Sequence, residues 1–313
     1  MNFAKRNTIA VLIAGLLLWV LLEGCDSIAE TTVDDSQLKI VTTTGMIKDA
    51  MENIVKNKAT VESLMGPGVD PHLYKPTSSD LSKLKSADVI VYNGLHLEGK
   101  MTEIFQKLSK TQSVLAMSDA LSEKELRTAP EFVSAADPHI WFNVNLWAKS
   151  IKHSANFLEK HDSKNAEYYK KNLEVYLSEL GILNDSVFKK IQRIPKKQRV
   201  LITTHDAFRY FGEAYQIEVK GLQGVSTASE VGLRDITDMV DFIIERDIEA
   251  VFVESSVSAK TINAVIEGCN EKGHVVKNGG ILYADAMGAE GTEEGTYIGM
   301  VKANVDRIVN ALL

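Results

Sequence analysis

The chain has 313 residues and a formal net charge of −7 at pH 7. This acidic balance disfavours a nucleic-acid partner and mildly favours the attraction of cations. About 289 residues remain beyond the leader described next, more than one hydrophobic core usually holds, so we expect two lobes with a cleft between them.

The N-terminal segment has the pattern of an export signal. Two basic residues precede an apolar run at 9–22, which is shorter than the roughly 20 residues that a membrane-spanning helix needs. The run ends just before Cys25, where a lipoprotein peptidase would cut and leave a lipid on the cysteine; Glu23 departs from the usual motif. We predict a lipoprotein signal peptide at 1–24 and a flexible tether at 25–37, with an uncleaved membrane anchor as the alternative.

Beyond the tether, short β-rich runs alternate with helical patterns in both halves of the chain. The expected elements are, in chain order, a strand at 38–41, helices at 45–56 and 78–85, strands at 87–92 and 199–202, a helix from 206, a strand at 250–253 and a helix at 258–270. This alternation predicts an α/β fold with two α/β lobes and mainly parallel sheets.

A long helical stretch separates the two halves. Residues 162–193 are rich in Lys, Glu, Leu, Ala and Tyr and contain no proline, which predicts one rigid helix of about 30 residues. Gly181 lies inside it and costs about 1 kcal/mol relative to alanine, so the helix could bend or break there. The predicted division is an N-terminal lobe at 38–161, a linker helix at 162–194 and a C-terminal lobe at 195–313.

The triplet Asp-Pro-His occurs twice and is the strongest local signal. One copy ends at His72 and the other at His139. Proline presets the approach of the chain, and the preceding aspartate is a natural acceptor for the ring nitrogen that a metal leaves free. One copy alone is more often a surface turn with an exposed histidine, but the pair points to a metal site. We predict His72 and His139 as ligands and Asp70 and Asp137 as groups that orient their imidazoles.

Two further polar side chains follow apolar strands. His205 ends the run Leu-Ile-Thr-Thr-His, and Asp285 follows Leu-Tyr-Ala. In open α/β sheets the ligand crevice lies at the carboxyl ends of the strands, although each of these residues alone would pass as a helix cap. Three imidazoles and one carboxylate suit zinc, and also manganese or iron if the aspartate binds through both oxygens. Calcium and magnesium are disfavoured because they require mostly oxygen ligands.

The remaining cysteine and histidines have simpler interpretations. Cys269 is expected on a helix as a small buried apolar group, and with Cys25 in the leader no intramolecular disulfide is expected. His96 follows a strand and is predicted to have a structural role. The other histidines outside the four ligand segments are predicted to be solvated.

Together these segments resemble the zinc- and manganese-binding lipoproteins of bacterial ABC importers, the TroA-like family 9 of solute-binding proteins. The resemblance runs from about residue 38 to the C terminus and includes Tyr-Asn-Gly-Leu-His-Leu-Glu at 92–98. It implies two α/β lobes joined by one long rigid helix, with a ligand cleft between the lobes. His72 and His139 would come from the N-terminal lobe, and His205 and Asp285 from the C-terminal lobe.

The resemblance also implies a function. The chain would be a monomer, held outside the cytoplasm by a lipid anchor, that delivers one divalent ion, Zn²⁺ or Mn²⁺, to an ABC permease and its ATPase. Many manganese-importing relatives have glutamate where this chain has His205, which favours zinc. Relatives dedicated to zinc often carry a long histidine-rich loop before the second ligand, and its absence from 128–137 removes part of that argument. We expect zinc first, then manganese, with Fe²⁺ as a third candidate.

Two other functions fit parts of the pattern. A secreted zinc hydrolase would use three ligands and take Asp285 or Glu254 as a general base. Four protein ligands would instead close the coordination shell and leave no place for an activated water, so we predict that the chain is not an enzyme, with Glu254 as a candidate partner of a ligand. A surface adhesin is the other alternative, or an added role, although no adhesive repeat is present in the sequence.

Overall fold

The computed structural model describes residues 37–128 and 136–313. The predicted signal peptide, Cys25 and all of the predicted tether except Gln37 lie outside the described residues. Within those two ranges, no helix is both long enough and apolar enough to span a bilayer.

The N-terminal half contains the four elements predicted from the sequence, together with two strands and two helices that were not predicted. Its elements are β1 Leu38–Thr42, α1 Gly45–Val55, β2 Ala59–Ser63, α2 Ser78–Ser86, β3 Val89–Tyr92, α3 Thr102–Leu108, β4 Ser113–Ala116 and α4 Val144–His161. The four strands form one parallel sheet in the order β2-β1-β3-β4, with Ile40 paired to Val61 on one side and to Val89 on the other. Because helices cover a parallel sheet, consecutive residues of the two central strands are buried, at 40–42 in β1 and at 89–91 in β3.

The long helix α5 comprises the 26 residues Ala166–Ile191, somewhat fewer than predicted, because residues 163–165 form a separate 3₁₀ turn. It passes through Gly181 without a break. Its buried side chains recur every three or four residues, as expected for one face of a helix. They are Tyr169, Leu173, Tyr176, Leu180, Leu183, Val187 and Ile191. These side chains belong to one hydrophobic core that contains Ile47 of the first half and Phe252 of the second. The long helix therefore supports both halves.

The C-terminal half repeats the alternation. Its elements are β5 Val200–His205, α6 Arg209–Tyr215, β6 Glu218–Gln223, α7 Leu233–Glu245, β7 Ala250–Glu254, α8 Lys260–Glu271, β8 Lys277–Leu282 and α9 Tyr297–Leu312. The pairs β5-β6 and β7-β8 are parallel, and β5 lies against β7. The predicted fold class, two α/β lobes joined by one long helix, is confirmed, whereas the lobe boundaries at 161 and 194 stay predictions. Cys269 is fully buried on α8, as expected.

One predicted helix start is wrong, and the error concerns a candidate ligand. The chain does not enter a helix at 206, because β5 continues through His205, which pairs with Gln223 of β6. The main-chain oxygen of His205 then accepts hydrogen bonds from the Thr203 hydroxyl and the Ala207 amide, at 2.7 and 3.0 Å, and α6 begins only at Arg209. His205 is therefore the last residue of a buried strand and not a helix cap.

Candidate metal centre

Four side chains from separate segments meet at one buried point. The metal-binding atoms of His72, His139, His205 and Asp285 all lie within 4.8 Å of one another, and each residue is at most 6% exposed. Nε2 of His139 is 3.3 Å from Nε2 of both other histidines and 3.3 Å from Oδ1 of Asp285. Oδ2 of Asp285 is 3.4 Å from Nε2 of His205 and 3.7 Å from Nε2 of His72. The four side chains thus enclose a small space with nitrogen and oxygen atoms.

The size of this space matches a small transition-metal ion. In a regular tetrahedron the edge is about 1.63 times the distance from centre to corner, so the 3.3 Å separations around Nε2 of His139 correspond to about 2.0 Å from the centre. Zinc–nitrogen and zinc–oxygen bonds in proteins are about 2.0–2.2 Å long. The cluster could therefore hold zinc with little rearrangement.

The buried carboxylate of Asp285 has three imidazoles beside it but accepts no hydrogen bond. The residue is 1% exposed. Burial alone would raise the pKa of Asp285, but the imidazoles of His205 and His139 hold this pKa well below its usual range. A buried charge is costly unless it is paired, so the place that protonated imidazoles take beside this carboxylate in the metal-free protein also favours a bound cation.

His139 is oriented by the aspartate of its own triplet. Oδ1 of Asp137 accepts hydrogen bonds from Nδ1 and the main-chain amide of His139, at 2.7 and 3.0 Å. A proton held on Nδ1 leaves Nε2 free to bind a metal. Burial alone would lower the pKa of His139, but the carboxylates of Asp137 and Asp285 raise it to about 9.

Asp70 makes different contacts from those predicted. Its Oδ1 accepts a hydrogen bond from the main-chain amide of His72 at 2.9 Å, and its Oδ2 accepts one from the hydroxyl of Thr227 at 2.6 Å. The expectation that Asp70 orients the imidazole of His72 is therefore corrected: the carboxylate turns back onto the main chain and links the loop to the C-terminal half. Burial lowers the pKa of His72 to about 3, which keeps its imidazole neutral.

His205 is oriented by the neighbouring strand. Glu254 ends β7, and its Oε1 accepts a hydrogen bond from the main-chain amide of His205 at 2.9 Å, while its Oε2 contacts Nδ1 of the same residue. Burial alone would lower the pKa of His205, but Glu254 and Asp285 raise it well above its usual range. Because both oxygens of Glu254 are engaged, this carboxylate is not free to act as the general base of a hydrolase.

Three aromatic side chains hold the loops of the cluster, a role not predicted from the sequence. Nε1 of Trp141 donates a hydrogen bond to the main-chain oxygen of Ala284 at 3.1 Å. The hydroxyl of Tyr297 donates a hydrogen bond to the main-chain oxygen of Trp141 at 2.7 Å. The hydroxyl of Tyr210 donates to the main-chain oxygen of Asp137 at 3.0 Å. Trp141 lies two residues after His139, so its position beside the second triplet is a signal for this role. Tyr210 and Tyr297 lie on helices that are far in sequence from the loop they contact. The four other histidines lie outside the cluster, as predicted.

A cavity of about 470 Å³ reaches the cluster from the side of Asp285. Lys48 of α1 lies in its wall, with Nζ 2.5 Å from a carboxylate oxygen of Glu290 and 3.8 Å from one of Glu52. Charged side chains therefore form part of the wall on the carboxylate side of the cluster.

Comparison with known proteins identifies the family. A family model described as zinc-uptake complex component A, periplasmic, matches residues 40–311. The chain belongs to this family. It is 48% identical to the manganese-binding lipoprotein MntA of Bacillus subtilis, across 93% of this chain and 95% of that relative. It is 45% identical to the zinc-binding protein TroA of Treponema pallidum, across 89% of this chain and 90% of that relative.

The structural comparison agrees. The solved structure of the periplasmic zinc-binding protein TroA of Treponema pallidum matches with a TM-score of 0.86, covering 88% of this chain and 99% of that one. The resemblance stated from the sequence is confirmed. The chain is an extracytoplasmic metal-binding component of an ABC transporter, with a permease and an ATPase as partners, and not an enzyme. Relatives are named for zinc and for manganese, so the names alone do not decide the metal.

Proposed function

We propose that the chain captures one zinc ion with His72, His139, His205 and Asp285 and releases it to the permease of its importer. The observation that carries this proposal is the closed cluster of three imidazole nitrogens and one carboxylate, with edges of 3.3–3.7 Å. Three imidazoles and one carboxylate within 4.8 Å of one another suit zinc, and four protein ligands would leave no open position for reactive water.

Manganese is the second candidate, and Fe²⁺ is the third. Both oxygens of Asp285 face imidazole nitrogens, so the carboxylate could bind through both and give a manganese ion an additional ligand. The name of the Bacillus subtilis relative supports this alternative. However, a given site of nitrogen and oxygen ligands binds zinc more tightly than manganese or ferrous iron, so zinc is favoured.

Metal analysis with competition tests the proposal. We expect protein purified without chelator to contain one zinc per chain. Zinc should displace manganese at equal concentration, with an affinity advantage of at least about tenfold, equivalent to about 1.4 kcal/mol. Retention of manganese against equimolar zinc would reassign the chain to manganese, and failure to bind either ion would contradict metal capture itself.

We also propose that Cys25 carries a lipid that tethers a monomeric chain to the membrane surface. The apolar run that stops at this cysteine supports the lipid anchor, as do relatives named as lipoproteins. Cys25→Ser should move most of the protein from the membrane fraction to the soluble fraction, whereas the nearby Ser27→Ala should not. Equal membrane retention of both variants would favour the uncleaved anchor instead.

A further inference from the structure

A buried polar network lies close to both ligand loops of the N-terminal half. Its centre is Glu98, which is 3% exposed. Oε1 of Glu98 accepts hydrogen bonds from the Thr43 hydroxyl at 2.6 Å and the Asn93 amide at 2.8 Å, and Oε2 accepts one from the Gly94 amide at 3.3 Å. Burying a carboxylate is costly even when it is well hydrogen-bonded, so the network needs an explanation beyond packing.

The loop that Glu98 holds has an unusual backbone. Gly94, Leu95 and His96 all lie in the left-handed region, with φ of 87°, 53° and 63°. Residues other than glycine rarely adopt this conformation, and it persists where the surroundings fix it, commonly at functional sites. The hydrogen bonds to Glu98 fix this loop and so give the side chain of Asn93 one placement.

The network reaches both ligand loops. Nδ2 of Asn93 donates to the main-chain oxygen of Pro138 at 2.9 Å, one residue before His139. On the other side, the main-chain oxygen of Thr43 accepts a hydrogen bond at 3.0 Å from the amide of Met65, where the loop leading to His72 begins. A single buried carboxylate thus connects the two loops that carry the histidines of this half.

We propose that Asn93, held in place by Glu98, is a positioning residue that presets His139 for tetrahedral metal binding and so favours zinc over manganese. This inference rests on the proposed function. Without the Asn93 donor, the main chain at Pro138 loses a hydrogen bond next to the ligand, and the imidazole of His139 can shift with it. With only four ligands, a zinc site loses a larger share of its coordination when one imidazole shifts than a manganese site with more ligands does.

Asn93→Leu tests the proposal because leucine keeps the branched shape and removes the donor. The matched control is Asn172→Leu, since Nδ2 of Asn172 also donates to a main-chain oxygen, that of Ile54 at 2.8 Å, outside the metal cluster. Zinc and manganese affinities are measured by chelator competition, and ligand geometry by the visible spectrum of the Co²⁺-loaded protein. We expect Asn93→Leu to weaken zinc binding by about tenfold or more, to lower the zinc-to-manganese affinity ratio and to change the cobalt spectrum.

The control should lose thermal stability with the affinity ratio and spectrum unchanged. Thr43→Val removes only the hydroxyl donor to Glu98 and should change the same affinities and spectrum as Asn93→Leu, but more weakly. If Asn93→Leu does not fold, Thr43→Val provides the test of the proposal. Variants that melt earlier but keep the native spectrum and affinity ratio would show a merely structural network and overturn the inference. An unaltered protein that binds no Co²⁺, Zn²⁺ or Mn²⁺ would instead contradict the proposed function.

Discussion

His139→Ala is expected to abolish high-affinity metal binding. Nε2 of His139 lies 3.3 Å from an atom of each of the three other cluster residues, so its loss opens the cluster at its centre. Changes in groups that only orient a ligand typically weaken metal binding by about 10- to 100-fold, and removing the ligand itself should exceed the upper value. Zinc affinity measured by chelator competition checks this expectation.

Thermal unfolding gives a second readout of the same variant. A metal that binds only the folded state stabilises the protein by about 4 kcal/mol at a concentration 1,000 times its Kd, and His139→Ala should lose almost all of this gain. The metal-free variant should itself be less stable, because Asp137 and Asp285 lose a cationic partner inside the protein. His153→Ala, on the partly exposed side of α4, is the matched control and should keep the full gain. A His139→Ala protein with zinc affinity within a few-fold of the unaltered chain would refute this site.

How far the sequence predicts the cluster differs from one ligand to the next. The repeated triplet identifies His72 and His139 without knowledge of relatives, because proline and aspartate beside a histidine have a local physical meaning. His205 and Asp285 look like helix caps in isolation. They reach the cluster because parallel strands end at a common edge, and that is a property of the sheet, not of the nearby residues.

The contacts around the cluster were harder to predict for the same reason. Asp137 turns toward the ring of its own histidine, whereas Asp70 turns toward the main chain and Thr227, which lies 157 positions further along the chain. The two aspartates share the triplet Asp-Pro-His, so tertiary partners decide between the two orientations. Likewise, the hydroxyls of Tyr210 and Tyr297 act on loops far away in sequence. The fold class was predictable because periodicity is local, but hydrogen bonds between distant segments were not.

Metal affinity is expected to rise with pH well beyond 6.5, the usual pKa of an imidazole. In the metal-free protein the pKa of His139 is about 9, because the nearby carboxylates outweigh the effect of burial, and the pKa of His205 is also raised well above its usual range. His72, with a pKa lowered to about 3 by burial, stays neutral. At neutral pH the metal-free cluster therefore holds two imidazolium groups beside the ionised Asp285.

A metal binds neutral imidazole, so each ion must displace these two protons. The logarithm of the apparent affinity should then rise by about two for each pH unit around neutral pH, without a break near 6.5. Chelator competition across this range measures the slope, and proton release on zinc addition measures the two protons directly. An affinity that levels off near pH 6.5 would show that the imidazoles of the cluster have their usual pKa. An affinity that does not change with pH would exclude a three-histidine site.

The same protons stabilise the metal-free fold. A group whose pKa is raised on folding contributes stability that is fully present below its unfolded pKa, about 6.5 for histidine, and is lost as the pH rises through its folded pKa. Metal-free protein should therefore become less stable toward pH 9, whereas zinc-loaded protein should not, because the ion replaces both protons as the partner of Asp285.

Asp137→Asn provides the control for the number of protons released. Without that carboxylate the pKa of His139 should fall, and proton release on zinc binding near neutral pH should approach one per ion. Two protons released from this variant would mean that Asp137 does not set the charge of His139.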